Sequence, residues 1–300
     1  LWETTTYVPW LKTTVKTTEE IKNSLYYQKG YNHKIKLAKP IQYSYKELPI
    51  EPYTFGVWLG DGASNKANIT CHANDLEIME YVALEGYPVR PVKYRDRTGG
   101  FVITDSVKDR TKDCLVKRLR ELGVYENKHI PDIYLQSSIE QRFELLRGLM
   151  DTDGTITKAG QCSFTTTIRQ LAEQVFELIA SLGFKPTIRE RSISLNGKRC
   201  KNAFYIDFWA YDDTPVFKLK RKLERQKKKP DSETRASFRK IVDVQEVESV
   251  PVKCIQVDNE SKLYLAGKSF IPTHNTSLIG ALSLYHLVCD PPGGQIYCCA

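Results

Sequence analysis

Two short apolar stretches each break off at an aspartate followed by glycine: Phe55–Gly62 (FGVWLGDG) and Leu146–Gly154 (LRGLMDTDG). Each has a glycine in its middle, Gly56 or Gly148, and a second small residue four positions on, Gly60 or Thr152. Small residues four apart share one helical face, so the pattern predicts two helices whose backbones approach closely. Asp61 and Asp153 then fall at C-terminal helix ends, where the dipole is already negative and a carboxylate needs a cation beside it. Two such ends side by side suit a shared divalent metal.

The pattern continues in parallel. After Gly62, polar alternation at Asn68–His72 leads into a helical period (DLEIMEYVALEG); after Gly154, alternation at Gln161–Thr167 leads into another (IRQLAEQVFELIASLG), and each ends at glycine. One helix closed by an Asp-Gly turn is ordinary, but a matched aspartate with a matched sequel predicts a duplicated unit. A further polar alternation covers Arg189–Lys201, and strands are predicted at Lys240–Val257 and Leu263–Ala266.

These segments resemble the paired motifs of the LAGLIDADG homing endonucleases in their single-chain, two-repeat form, over roughly Ile50 to Lys229. The resemblance implies a monomer with two αββαββα halves about a pseudo-twofold axis, whose curved sheets form a saddle for double-stranded DNA. It makes Asp61 and Asp153 the metal-binding catalytic carboxylates, with Mg²⁺ or another divalent cation as cofactor and a double-strand break as product. Lys128, in NKHIPDIYLQSS, matches a segment before the second motif where a lysine assists the chemistry; a solvated loop lysine is its plain alternative.

Composition agrees with a polyanion partner. Lys and Arg total 44 against 36 acidic residues, a net charge of +8, and the densest run is Lys218–Lys229 (KLKRKLERQKKK). Cations that neutralise phosphates release counterions, although such a run is more often a solvated face or linker, and PDSETRAS after it reads as a connector. Eight cysteines without paired metal spacing imply reduced thiols in a cytoplasmic setting; Cys71-His72 lacks a second pair for zinc. No apolar run approaches a membrane span.

The far end carries different chemistry. Val252–Thr276 closes on His274-Asn275-Thr276 and resembles the C-terminal splicing blocks of an intein. The resemblance implies that the Asn275 amide attacks its own carbonyl, with His274 polarising that group or protonating the leaving amine, and that Thr276 receives the upstream host segment as an ester. Cys254 stands where many inteins have aspartate, and Thr273 precedes the His-Asn pair. Both match the class 3 group, in which an internal cysteine attacks the upstream junction and a Trp, Cys and Thr form the hallmark set. Trp2 is the tryptophan, with Trp10 the fallback; a small buried strand residue is the plain alternative for Cys254.

The expected fold is therefore α+β: a LAGLIDADG domain inserted in a discontinuous all-β Hint-type splicing domain. Residues 1–46 form the N-terminal remainder of the splicing domain and a connector, 47–235 the nuclease, 236–275 the C-terminal splicing part and 276–300 the start of the downstream host. An intact intein would open on a nucleophile or small residue and a Thr-x-x-His block; neither precedes Trp2, so the splicing domain is expected to begin upstream. Residues 276–300 (TSLIGALSLYHLVCDPPGGQIYCCA) resemble the segment after a phosphate-binding loop in phage terminase large subunits, which implies a P-loop ATPase host in a phage or bacterial cell. Two other readings stay open: a LAGLIDADG protein that binds DNA without cutting, as maturases do, and a splicing element whose nuclease has decayed.

Overall fold

The computed structural model describes residues 1–7, 12–92, 100–103, 114–195, 198–248, 251, 255 and 257–274. The chain divides into two compact units, Leu1–Ala38 with Thr234–Ala300, and Lys39–Glu233.

The first unit opens with strands β1 (Trp2–Thr6) and β2 (Thr13–Lys16), paired antiparallel. A short helix α1 (Thr18–Asn23) follows, then β3 (Tyr26–Tyr27), β4 (Gly30–Tyr31) and β5 (His33–Lys36). Helix α1 starts because Thr17 and Glu20 cap each other reciprocally: Glu20 N donates to Thr17 Oγ1 at 3.1 Å and Thr17 N to Glu20 Oε2 at 2.7 Å. It buries Ile21. The expectation of an all-β splicing domain is corrected by this helix.

The second unit comprises two similar halves. The first half runs α2 (Pro52–Asp61), β6 (Asn68–Thr70), α3 (Glu77–Leu84), β7 (Val89–Val92), β8 (Gly100–Ile103) and α4 (Leu115–Glu121). After a short helix α5 (Asp132–Leu135), the second half runs α6 (Ile139–Thr152), β9 (Gly154–Ile156), β10 (Gln161–Thr166), α7 (Arg169–Ser181), β11 (Thr187–Leu195), β12 (Lys198–Trp209) and α8 (Lys220–Leu223). The second half is the expected αββαββα. The first departs from it among the described residues, because the counterpart of β9 is reduced to one bridge between Gly62 and Ile69.

Sheet order confirms the duplication within this unit: β6-β8-β7 in one half corresponds to β10-β12-β11 in the other, with β9 added at the edge. The alternation over Arg189–Lys201 runs from β11 into β12. Residues 39–46, assigned from sequence to the connector, belong to this unit. Arg142, fully buried in α6, donates to the carbonyls of Ser137, Ser181 and Ile41, while Gln141 Nε2 donates to Lys46 O at 2.6 Å.

The chain re-enters the first unit at β13 (Phe238–Lys240), which completes a sheet of order β13-β5-β1-β2, and ends in the hairpin β14 (Leu263–Ala266) and β15 (Ile271–His274). Of the strand expected over Lys240–Val257, Lys240 closes β13 and 241–248 are irregular, while 249–250, 252–254 and 256 lie outside the described residues. Asp243 takes Val244 N at 2.8 Å and Gln245 Nε2 at 2.6 Å, local bonds that compete with a ladder. Among the described residues no helix is long and apolar enough to cross a membrane.

Candidate active site between two helix ends

Helices α2 and α6 lie against each other through their small residues. A Cβ on Gly56 would stand 3.0 Å from Leu149 N, and one on Gly148 would stand 2.8 Å from Val57 N, closer than real side chains come. Gly60 faces Thr152, whose Cβ would lie 2.7 Å away. Helix α2 is buried from Pro52 to Leu59, as expected of a helix apolar all round. Helix α6 begins at a Ser138–Gln141 capping box.

Helix α2 is capped by Gly62, and α6 by Asp153 with Gly154 directly after it. A Cβ on Gly62 would press on Trp58 Cγ at 2.8 Å, and one on Gly154 on the Met150 carbonyl carbon at 2.8 Å, so the chain can turn this tightly only with glycine. Asp61 is the last residue of α2 and Asp153 the cap of α6. Burial is the main cause that raises both carboxyls above their ordinary range, Asp61 to about 6 with the Asp153 charge adding to the rise.

The cations that these helix ends need are two lysines, Lys222 buried and Lys128 half-buried. Lys128 Nζ donates to Leu59 O at 3.0 Å and Gly60 O at 2.9 Å. Lys222, in α8, donates to the carbonyls of Met150 (2.9 Å), Asp151 (2.6 Å), Thr152 (3.1 Å) and Gly154 (2.7 Å). Burial lowers each ammonium to about 8, against the pull of the nearby aspartates. The positive charges of Lys222 and Lys128 both pull the Asp61 and Asp153 carboxyls back down. Each lysine is thus anchored on one helix end and lowers the carboxyls of both Asp61 and Asp153.

Lys222 was missed in the sequence, where its run reads as a solvated face. A signal was present: Leu219, Lys222, Leu223 and Gln226 fall on one helical stripe, and Leu219, Lys222 and Gln226 are buried.

Among the described residues, neither Asp61 nor Asp153 takes a hydrogen bond, and both are only half-buried. The lysines occupy the adjacent carbonyls and leave the two carboxylates as available oxygen ligands. That donor set fits a hard divalent cation such as Mg²⁺, which prefers oxygen and retains waters. No group of three or more His, Cys, Asp or Glu with metal-site geometry occurs among the described residues.

The expected splicing residues lie in the first unit. Trp2 in β1 donates its indole N–H to Thr18 Oγ1 at 3.1 Å. In β15, Thr273 pairs with Tyr264, donates through Oγ1 to Ile271 O at 3.1 Å and is buried. His274 N donates to Leu1 O at 3.1 Å, which sets β15 beside the start of β1; its Nδ1 is buried without a partner among the described residues. Cys254, Asn275 and Thr276 lie outside the described residues, as do Trp10 and the whole of 276–300.

Residues 140–206 match the family model described as a LAGLIDADG-like domain. The chain is 37% identical over 268 residues to a replicative DNA helicase DnaB of Mycobacterium intracellulare, a match that covers 88% of this chain and 42% of the helicase. It is also 55% identical over 38 residues to DnaB of Mycobacterium leprae (strain TN), covering 13% of this chain and 6% of that protein. The chain thus spans well under half the length of the curated relatives it matches. A solved structure of mesophilic variants of the homing endonuclease I-DmoI aligns with TM-score 0.36 and 16% identity over 53% of this chain and 88% of that one. Both curated relatives are helicases and neither is a terminase, so the terminase host and phage setting read from residues 276–300 gain no support.

Proposed function

We propose, from the match of residues 140–206 to the LAGLIDADG-like domain, that Lys39–Glu233 is a site-specific, metal-dependent endonuclease acting on double-stranded DNA. One observation carries the reading: two half-buried aspartates end two tightly packed helices, each beside a lysine held by helix-end carbonyls. Asp61 and Asp153 would hold the divalent cation, which when bound supplies charge neutralisation at a phosphate and a water of lowered pKa. Lys128 and Lys222, held by helix-end carbonyls, present fixed positive charge beside the carboxylates and exclude bulk water from that floor. The polar face of the four-stranded sheet supports a DNA partner: Ser163, Thr165, Arg189 and Tyr205 fall on the same face, opposite buried Cys162, Phe164 and Ile206. The test is incubation with the uninterrupted host gene and Mg²⁺. A double-strand break at one site is expected; binding without cleavage under Mg²⁺ or Mn²⁺ would leave the binder reading.

A second reading rests on the helicase match, which covers more of the chain than the nuclease unit and sits inside a much longer protein. We infer that the first unit is part of a self-excising splicing element hosted by such a protein, acting on its host segments in cis. His274 would assist Asn275 cyclisation and Thr276 would accept the upstream segment, with Cys254, Thr273 and Trp2 as the class 3 set. In a precursor carrying the segment upstream of Leu1, mass spectrometry should detect ligated host protein. Normal splicing by Cys254→Ala would refute the class 3 assignment.

A further inference from the structure

Asp151 is an acid that neither reading has used. It sits two residues before Asp153, is 1% exposed, and directs its carboxylate at Tyr53 of α2 and the segment leading into α8. Its carboxylate accepts from Lys218 N at 3.1 Å, from Leu219 N at 3.1 Å and from the Tyr53 hydroxyl at 2.8 Å. The two amides belong to the residues that lead into α8, which carries Lys222. The Asp151 carbonyl meanwhile accepts from Lys222 Nζ at 2.6 Å. One residue therefore grips the Lys222 segment at both ends, by carboxylate at its start and by carbonyl at the ammonium.

The segment is also braced from the first half. Arg221 forks onto Asp75 with contacts of 2.5 and 2.7 Å, and Lys220 N donates to Glu77 Oε2 at 3.3 Å. At the other half-site the position matching Asp151 is Leu59, a buried apolar residue that offers Lys128 only its carbonyl, and the Lys128 segment is held instead by the neutral Gln174, which accepts from Ile130 N and donates to Ile130 O, both at 2.8 Å. The two lysines are thus held by unequal means.

We propose that Asp151 is a positioning residue for Lys222, so that its loss impairs one of the two half-sites and slows cleavage of one DNA strand while sparing the other. The inference rests on the nuclease reading and extends it, since a purely structural acid in the shared helix pair would affect both strands alike. Charge-assisted bonds to backbone amides fix a segment far more firmly than van der Waals contact, and a small displacement of a fixed cation costs catalysis steeply.

The test has two arms on the full chain. In the first, amine acylation followed by mass spectrometry compares Lys222 with Lys128 in wild type and in Asp151→Asn. Lys222 should react several-fold faster in the variant and Lys128 at an unchanged rate; equal rates for Lys222 in both proteins would overturn the proposal. This arm does not need cleavage, so it separates the proposal from failure of the nuclease reading. In the second, strand-labelled DNA should show Asp151→Asn slowing one strand by roughly tenfold and accumulating nicked product. Equal slowing of both strands would overturn the proposal. Tyr53→Phe removes one donor but leaves both amide bonds, so its strand ratio should stay that of wild type; a bias equal to that of Asp151→Asn would assign the effect to general loosening and overturn it. If Asp151→Asn does not fold, Asp75→Asn, which frees Arg221, should give a smaller bias towards the same strand and a smaller rise in Lys222 reactivity, and absence of both would overturn the proposal.

Discussion

Lys128 donates to the carbonyl of Gly60, 2.9 Å away, one residue before Asp61; Lys222 donates in the same way to Thr152, 3.1 Å away and one residue before Asp153. The repeat therefore extends to the cations as well as the aspartates, and each negative helix end is met by a lysine ammonium.

If these lysines stabilise charge that develops at the phosphate, Lys222→Met and Lys128→Met should each lower single-turnover cleavage by about 10²-fold while leaving DNA affinity near wild type. Quench-flow rates alongside gel-shift binding check this. Cleavage at the wild-type rate in either variant would remove that lysine from the chemistry.

The helix contact is too close for any added atom. Gly148→Ala places a methyl against Val57 N and the Tyr53 carbonyl, both backbone and unable to swing aside. We expect a loss of about 3 kcal/mol of stability from overpacking, measured by denaturant titration, together with lost cleavage from displaced aspartates. An unchanged midpoint would mean that the helices can separate without cost.

His33 provides a pH probe for the first unit. Its buried ring accepts or shares bonds with Thr4 Oγ1 at 3.2 Å and Ser24 Oγ at 2.9 Å, and burial followed by the nearby Lys16 charge lowers its pKa. The neutral form is thus favoured on folding. As pH falls below the unfolded value of about 6.5, the unfolded chain takes up a proton that the buried ring resists, so stability falls; above that value the contribution is fully present. The protection of the β1 and β5 amides, taken as exchange relative to the intrinsic rate at each pH, should fall from pH 7 to 5, and His33→Gln should flatten that dependence.

The features legible in the sequence are those with local causes. The small residues of α2 and α6, the glycines after the aspartates and the hairpin strand Leu263–Ala266 follow from periodicity and turn sterics. Lys222 was hidden because its burial depends on carbonyls of Met150 through Gly154, remote in sequence, and its neighbours are charged. The docking of residues 39–46 depends on Arg142, whose buried guanidinium binds carbonyls from three separate segments, and such clamps leave no sequence period. The irregular course of the described residues 241–248 reflects Asp243 serving its own backbone neighbour, a competition that alternation alone does not show.

The most direct measurement is cleavage of the uninterrupted host gene by wild type, Asp61→Asn and Asp153→Asn in Mg²⁺. Each substitution keeps size and removes the charge that would hold the cation. The account predicts a double-strand break by wild type and none by either variant, with DNA binding retained in all three. A double-strand break at the wild-type rate in Asp61→Asn or Asp153→Asn would contradict it.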